Sequence, residues 1–429
     1  MSRLIGIIGI IFILGLAYLM SNNKRAINLK TIGVGFALQI AFAFFIFKFP
    51  IGKKIFMALG MFVKKILDFA NDGGSFVFGP LMDKVKLALV WGSDANIFAL
   101  QLIASLIFMM ILVNILYYYG IMQRIIPVFG KAMNKIMNVS GAEALSNVAS
   151  AFVGQVSAQI MIRPYLEKLT RSELLASMAG SLACVSGATM PIYIGMNIEP
   201  LYILASSVMA VPGAFVISKI IYPETKIPET SEDFSINYNK RKKPYINVFD
   251  AISSGASDGM KVALNVIAMI LALIALVAML DWFLGLIGGC IIKLFHISSG
   301  AEGFYALSNL SLKYILGKIF AVFAFLIGVP LHEATAVGGV MGTKLVLNEM
   351  VGFFDLNQLH MAGLSEKSWL IGTFALCNFA NLGSVAILLG GIGELAPNQR
   401  KNLARLGVRA LICGTLTGYL SAAIVGILF

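Results

Sequence analysis

The chain has 429 residues, of which 59% are hydrophobic and only 13% are charged, and its mean hydropathy is +0.87. Soluble proteins are about one-quarter charged and outer-membrane barrels alternate apolar with polar residues, so this blockwise apolar sequence predicts an all-α polytopic membrane protein. The net charge of +12 comes mainly from short loops between spans, where the positive-inside rule explains it without a nucleic-acid partner.

The N-terminal third predicts three spans separated by an amphipathic region. Residues 4–20 are apolar and run into Lys24 and Arg25 without a small-residue cleavage site, so they indicate a first span rather than a signal peptide. Residues 32–47 predict a second span. Residues 49–91 mix lysines with apolar residues and predict helices that lie at the membrane interface. Residues 97–119 predict the third span.

The middle of the chain predicts a re-entrant hairpin and then a broken helix. Residues 139–169 contain no clean span of about 20 apolar residues and are small and polar around 149–157. We therefore expect a hairpin that enters and leaves on one side. A helix follows from Ser172, is interrupted at 184–187, and leads to a span at 201–217 and a long polar loop, which we place in the cytoplasm.

The last part of the chain repeats this layout. Residues 247–259 predict a short amphipathic helix before a span at 262–280, and residues 284–329 predict interfacial helices. Residues 330–355 predict a second hairpin, and a broken helix begins at Ser365. A final span is expected at 410–429.

The two hairpin units agree in spacing. Gln155 precedes Ser172 by seventeen residues and Glu349 precedes Ser365 by sixteen, and each Ser-Glu pair is followed by a cysteine twelve residues on. Three predicted crossings separate the hairpins, and because three is odd, the hairpins must enter from opposite faces. Inverted repeats with broken helices are typical of secondary transporters that bind substrate at the membrane midplane.

Polar groups inside these apolar regions mark candidate functional residues. Glu349 follows Asn348 in the second hairpin, and residues 377–384 form a polar, glycine-containing stretch about thirty residues later. Lone asparagines and serines often only hydrogen-bond a neighbouring helix, whereas an ionisable group in the bilayer usually faces a substrate or ion path. Lys344 lies five residues from Glu349, off the favourable helical spacing, so we do not expect the two to pair.

Four longer motifs identify a family that the sequence resembles, the concentrative nucleoside transporters. They are residues 152–155 (FVGQ), 247–259 (NVFDAISSGASDG), 344–349 (KLVLNE) and 374–384 (FALCNFANLGS). The resemblance runs from about Lys24 to the C-terminus. It implies about eight transmembrane helices plus two opposed re-entrant hairpins and interfacial helices, a homotrimer, and nucleoside uptake driven by a cation gradient.

The resemblance assigns the ribose to the second hairpin and its broken helix. Glu349 and Asn381 would bind the sugar hydroxyls, Ser384 would assist, and Phe379 would form an apolar wall. A carboxylate accepts hydrogen bonds from vicinal hydroxyls, an amide both donates and accepts, and an aromatic ring covers a flat face.

The resemblance assigns the nucleobase to the first hairpin, where this sequence departs from the family. Most members have Gly-Gln-Thr-Glu or Gly-Gln-Ser-Glu at the hairpin tip, whereas here Gln155 is followed by Val156 and Ser157, and the carboxylate is missing. Thr189 stands where some members carry an apolar valine. Loss of an acceptor for a base N–H changes discrimination by orders of magnitude, so the family's base preference is not carried over.

The positions that correspond to the family's sodium site are also altered. The side chains here are Ser150 and Cys184, with backbone carbonyls near Val153 and Val185. A thiol is a poor ligand for a hard cation, which prefers oxygen. We therefore expect coupling to protons, with Glu349 as the protonatable group, or to a weakened sodium site.

The remaining expectations concern organisation and alternatives. Scattered cysteines and histidines predict no disulfide framework, no structural metal and no cofactor beyond the coupling Na+ or H+. The expected location is a bacterial inner membrane. The expected division is 1–138 and 223–329 as scaffold with interfacial helices, and 139–222 and 330–429 as two transport units. A transporter of a nucleobase or modified nucleoside stays open, as does an enzyme acting on lipid-linked nucleotides, for which Glu232 and Asp233 are the acidic candidates.

Overall fold

The computed structural model describes residues 2–91, 97–187, 189–230, 245–296 and 302–429, and these residues form helices and loops without any strand. The basic run at 240–243 and the Glu232–Asp233 pair lie outside the described residues. The α-helices are α1 (Ser2–Leu19), α2 (Leu29–Phe47), α3 (Pro50–Phe78), α4 (Lys84–Trp91), α5 (Phe98–Tyr118), α6 (Ile121–Met137), α7 (Gly141–Val153), α8 (Gln155–Met161), α9 (Arg163–Leu166), α10 (Arg171–Ala183), α11 (Met190–Gly195), α12 (Pro200–Ile221), α13 (Val248–Leu294), α14 (Glu302–Ser308), α15 (Leu312–Leu326), α16 (Leu331–Val346), α17 (Glu349–Met361), α18 (Glu366–Leu376), α19 (Leu382–Leu395) and α20 (Arg400–Leu428).

Among the described residues, five helices are long and apolar enough to cross a membrane. They are α2, α5, α12, α13 and α20 with the short turn before it, and a sixth arises if α15 and α16, bent by 118°, count as one span. The all-α membrane architecture predicted from composition is therefore confirmed. The count of eight spans and the opposed entry of the two hairpins stay predictions.

Helix α13 corrects one expectation. The sequence predicts a short amphipathic helix that ends near residue 259, a separate span, and interfacial structure from residue 284. The structure instead has one continuous helix of 47 residues, about 70 Å at 1.5 Å per residue. Gly255 and Gly259 lie inside this helix as packing positions. Since they have no side chain, the backbone of α13 can approach α5, and a Cβ atom at Gly259 would lie only 2.5 Å from Ile107 Cα.

The two hairpin units have the same order of elements. In the first, α7 turns into α8 at Gly154, and α10 breaks before α11 and leads to α12. In the second, α16 turns into α17, and α18 breaks before α19 and leads to α20. Gly154 has φ +93°, a left-handed conformation that favours glycine, so the first tip depends on this residue. Gln155 and Glu349 are both the first residue of the second hairpin helix, as the spacing predicts.

The helix starts correct one detail of the repeat. The N-cap of α10 is Thr170, whose side chain bonds the Glu173 backbone, whereas the N-cap of α18 is Ser365. The two Ser-Glu pairs therefore occupy different cap positions. The cysteines do correspond, since Cys184 and Cys377 are the C-cap residues of α10 and α18.

The core lies where these units meet the long helices that follow them. Helices α10, α12 and α20 are buried along most of their length. The C-terminal helix is longer than predicted, because α20 begins at Arg400 rather than at residue 410. Since α10, α12 and α18 all contact α20, the broken ends of both units are held near the middle of the molecule.

Candidate functional site

Glu349 lies at a helix N-terminus in the protein interior. It is the first residue of α17, and the side chain of Asn348 caps the helix by accepting a hydrogen bond from the Val351 backbone N–H at 3.0 Å. Glu349 is 3% exposed. The positive end of the helix dipole stabilises a carboxylate at this position.

Two side chains hold the Glu349 carboxylate. Tyr193 of α11 donates its hydroxyl hydrogen to Oε1 at 2.9 Å, and the Asn381 amide donates to Oε2 at 2.9 Å. Asn381 is itself the N-cap of α19, since its Oδ1 accepts from the Ser384 backbone N–H at 2.7 Å. The carboxylate is therefore held from both broken helices, by Tyr193 of the first and Asn381 of the second.

A buried lysine lies in the same unit as this carboxylate. Lys344 is 1% exposed and donates to the Asn378 side-chain carbonyl, which also accepts from the Ala380 backbone N–H at 3.2 Å. Lys344 forms no direct ion pair with Glu349 within the described chain, in keeping with their spacing. Its buried side chain is instead bonded to the break of the second unit at Asn378.

Aromatic residues pack together near this site. Phe379, Tyr193 and Phe353 belong to one buried apolar cluster, and the rings of Tyr193 and Phe353 have centroids 5.2 Å apart. Helix α11 also lines a cavity of about 430 Å³ between α3 and α5 with Pro191 and Ile194. Pro191 and Ile194 of α11 thus line this cavity, whereas Tyr193 of the same helix bonds Glu349.

The residues predicted for the nucleobase lie at the first hairpin tip and at the break before α11. Among the described residues, the Gln155 side-chain carbonyl is buried without a hydrogen-bond partner, whereas Ser157 is exposed. Val156 packs against α19, where a Cβ atom at Gly391 would lie 3.0 Å from it. The Thr189 hydroxyl lies 3.0 Å from that of Ser186.

The residues predicted for the cation are already engaged with protein groups. The Ser150 hydroxyl donates to the Ser146 carbonyl at 2.7 Å, and Cys184 Sγ faces the Ser207 carbonyl at 3.9 Å. The Val185 carbonyl accepts from the Ser207 hydroxyl at 2.9 Å. Val153 is buried at the end of α7.

The structure therefore brings some of the predicted site residues together and adds a residue that was not predicted. Glu349, Asn381 and Ser384 form one connected group, and Val156 brings the first hairpin against α19. Tyr193 was missed, although it follows Thr189 by one helical turn and so shares its side of the broken helix.

A buried carboxylate and amide groups, held at the ends of two interrupted helices in an all-α membrane fold, define a membrane transporter by class. Comparison with known proteins gives the family. Family models described as the Na+ dependent nucleoside transporter N-terminus and C-terminus match residues 8–81 and 202–426, and one described as nucleoside recognition matches residues 99–197. The chain belongs to the concentrative nucleoside transporter family.

Individual relatives are similar to this chain over nearly the whole length of both proteins. The uncharacterized transporter YutK of Bacillus subtilis (strain 168) is 40% identical, with 99% of each chain covered. The nucleoside permease NupC of Helicobacter pylori is 35% identical, covering 99% of this chain and 98% of its own. A solved structure of CNTnw in an inward-facing, substrate-bound state has a TM-score of 0.89 at 35% identity, covering 100% and 98%. These relatives are transporters and permeases, so the enzyme alternative is dropped.

Proposed function

We propose that this protein imports nucleosides across a bacterial inner membrane by cation symport, with Na+ or H+ as the coupling ion. The observation that carries the proposal is the Glu349 carboxylate, which is buried at the tip of the second hairpin and held by Tyr193 and Asn381. The whole-length similarity to nucleoside permeases supports the substrate class.

The ribose is assigned to the second unit. Glu349 is placed to accept from the sugar hydroxyls, and the Asn381 amide, whose side chain already bridges to Ser384, holds the carboxylate in position. Phe379 is assigned the apolar wall of the ribose site, supported by its place in the same buried cluster as Tyr193. A nucleobase lacks these hydroxyls, so the arrangement favours nucleosides over free bases.

The nucleobase is assigned to the first hairpin with the break before α11. The unpartnered Gln155 carbonyl supports this assignment, since a buried acceptor without a donor costs about 1–3 kcal/mol unless a ligand or water satisfies it. Val156, Ser157 and Thr189 complete the proposed surface. The exposed Ser157 hydroxyl replaces the missing carboxylate, so base selectivity is expected to be broad.

The proposed division follows the repeated element order. Residues 139–222 and 330–429 form the moving units, and 1–138 and 223–329 form the scaffold. A homotrimer is proposed with α13 at its interfaces, because this helix is apolar and only 6% of its most apolar window is buried within one chain.

Uptake in a host that lacks its own nucleoside carriers tests this proposal. Cells that express the protein are expected to accumulate radiolabelled purine and pyrimidine nucleosides but not free bases. Sodium and proton gradients imposed separately identify the coupling ion. Accumulation of bases with no nucleoside uptake would contradict the assignment of the ribose to Glu349.

Base selectivity gives a second test at the hairpin tip. Replacing Ser157→Glu restores a carboxylate that can accept from a base N–H, and we expect it to change the purine-to-pyrimidine uptake ratio by about tenfold or more. Ile160→Glu is a matched control, because this α8 side chain is also exposed. If Ser157→Glu and Ile160→Glu changed the purine-to-pyrimidine uptake ratio equally, the change would indicate a general charge effect rather than base recognition.

A further inference from the structure

Gln159 connects the second helix of the first hairpin to the broken helix that follows. Its side-chain N–H donates to the Ser181 hydroxyl at 2.8 Å, and its carbonyl accepts from the Ser177 hydroxyl at 2.8 Å. Gln159 and Ser177 are fully buried and Ser181 is 1% exposed. One amide therefore bridges two serines on adjacent turns of α10 and fixes α8 against that helix.

Ser181 extends this connection to the first hairpin helix and to the tip. Its hydroxyl lies 3.0 Å from that of Ser150 in α7 and 3.4 Å from the Gln155 backbone carbonyl, and its single hydrogen is donated to one or the other. Gln155 is the tip residue assigned to the nucleobase. Three helices, α7, α8 and α10, thus meet at one hydroxyl that also lies against the tip.

Three of the four candidate cation ligands fit a hard cation poorly. The Ser150 oxygen already bonds two protein groups, the Cys184 sulfur is a soft ligand, and the Val185 carbonyl already accepts from the Ser207 hydroxyl. Hard cations select oxygen ligands. The hydroxyls and the amide of the junction also satisfy one another, since none of those oxygens is unpartnered.

Asn147 is the buried amide closest along α7 to this junction. Among the described residues, neither its side-chain carbonyl nor its NH₂ has a hydrogen-bond partner, and it faces α10 at Gly180, where a Cβ atom would lie 1.7 Å from its Oδ1. A water molecule can both donate and accept, so one buried water satisfies both groups.

We infer that the Gln159 amide stands in for a cation at this junction, holding α7, α8 and α10 together so that the first hairpin keeps its nucleoside-binding shape without sodium. The inference rests on the proposed function for the substrate and deepens it: no sodium ion is bound between the first hairpin and α10. Gln159 is a positioning residue that acts on the nucleobase through Ser181 and Gln155.

Binding to the purified full-length protein in lipid nanodiscs tests the inference. Tritiated uridine and adenosine are titrated in sodium chloride and in choline chloride at equal ionic strength. The wild type is expected to change affinity less than about twofold between the salts. Gln159→Met keeps the side-chain length but removes both hydrogen bonds, so it should bind about tenfold more weakly, while Ile160→Ala on the exposed side of α8 should bind like the wild type.

A pH series separates positioning from space filling. In Gln159→Glu, a protonated carboxylic acid can donate to Ser181 and accept from Ser177, whereas the ionised form can only accept. Affinity relative to the wild type at the same pH should therefore recover as the pH falls. A side chain that only fills space would show no such recovery.

Several results would overturn the inference. These are a tenfold or larger sodium dependence of wild-type binding, or wild-type affinity in Gln159→Met. If the wild type binds neither nucleoside in either salt, the proposed function fails, and the sodium dependence of the melting temperature then decides the inference alone. A wild-type melting temperature that rises with sodium but not with choline would contradict it.

Discussion

Glu349→Gln is expected to reduce nucleoside uptake by about 100-fold or more while the protein still reaches the membrane in normal amounts. A hydrogen bond to a charged group contributes about 1.5–3 kcal/mol. Because Glu349→Gln removes the charge from the acceptor of two sugar hydroxyls, nucleoside affinity is expected to fall by about two to four orders of magnitude. The amide has almost the same volume, and the buried site should fold around it. Initial-rate uptake and the quantity of protein in isolated membranes are the two measurements.

Two matched variants make this result interpretable. Tyr193→Phe removes one of the two donors to the carboxylate, and we expect an intermediate loss of about tenfold. Glu366→Gln removes a carboxylate from the same unit, but the Glu366 side chain is 83% exposed and is paired with His360 at the surface, not with Glu349 or Asn381. Its uptake should match the wild type. Uptake by Glu349→Gln at the level of Glu366→Gln would remove Glu349 from the site.

The sequence predicts the architecture well because each membrane-facing helix carries its own apolar signal. The hairpins and broken helices also follow from local signals, since small and polar residues at Gly154, Cys184 and Cys377 interrupt apolar runs. The continuous α13 could not be predicted in the same way. Gly255 and Gly259 look like breaks when taken locally, and only their approach to α5 shows that they are packing positions.

The candidate site could also be predicted from the sequence only in part. Glu349 and Asn381 stand out because they are polar residues in apolar segments, but the bond between them joins residues 32 positions apart, and the Tyr193 bond spans 156 positions. Gln159 carries no signal as a lone amide, and its role depends on two serines of another helix. Residues that act through tertiary partners are therefore the ones that periodicity and spacing miss.

A buried ion pair at the base of the first hairpin gives the largest expected effect on stability. Lys219 of α12 lies 2.6 Å from Glu143 of α7, with side chains 8% and 1% exposed, and it also donates to Ser172 of α10 at 3.0 Å. Lys219→Met leaves the Glu143 carboxylate buried without a counter-charge. Breaking a buried pair in this way costs about 3–5 kcal/mol, which SDS titration in mixed micelles should detect as a much lower unfolding midpoint.

The double variant Glu143→Gln with Lys219→Met decides whether the isolated charge causes that loss. Removing both charges leaves no uncompensated ion, so stability should return close to the wild-type value, and the amide can still accept from the Ser140 backbone N–H as Glu143 does. Lys168→Met is the surface control, because its 2.7 Å pair with Glu229 is largely exposed and such pairs contribute about 0–1 kcal/mol. If Lys219→Met were no more destabilising than Lys168→Met, the three helices would be held at this point by packing, and the ion pair would not stabilise the fold.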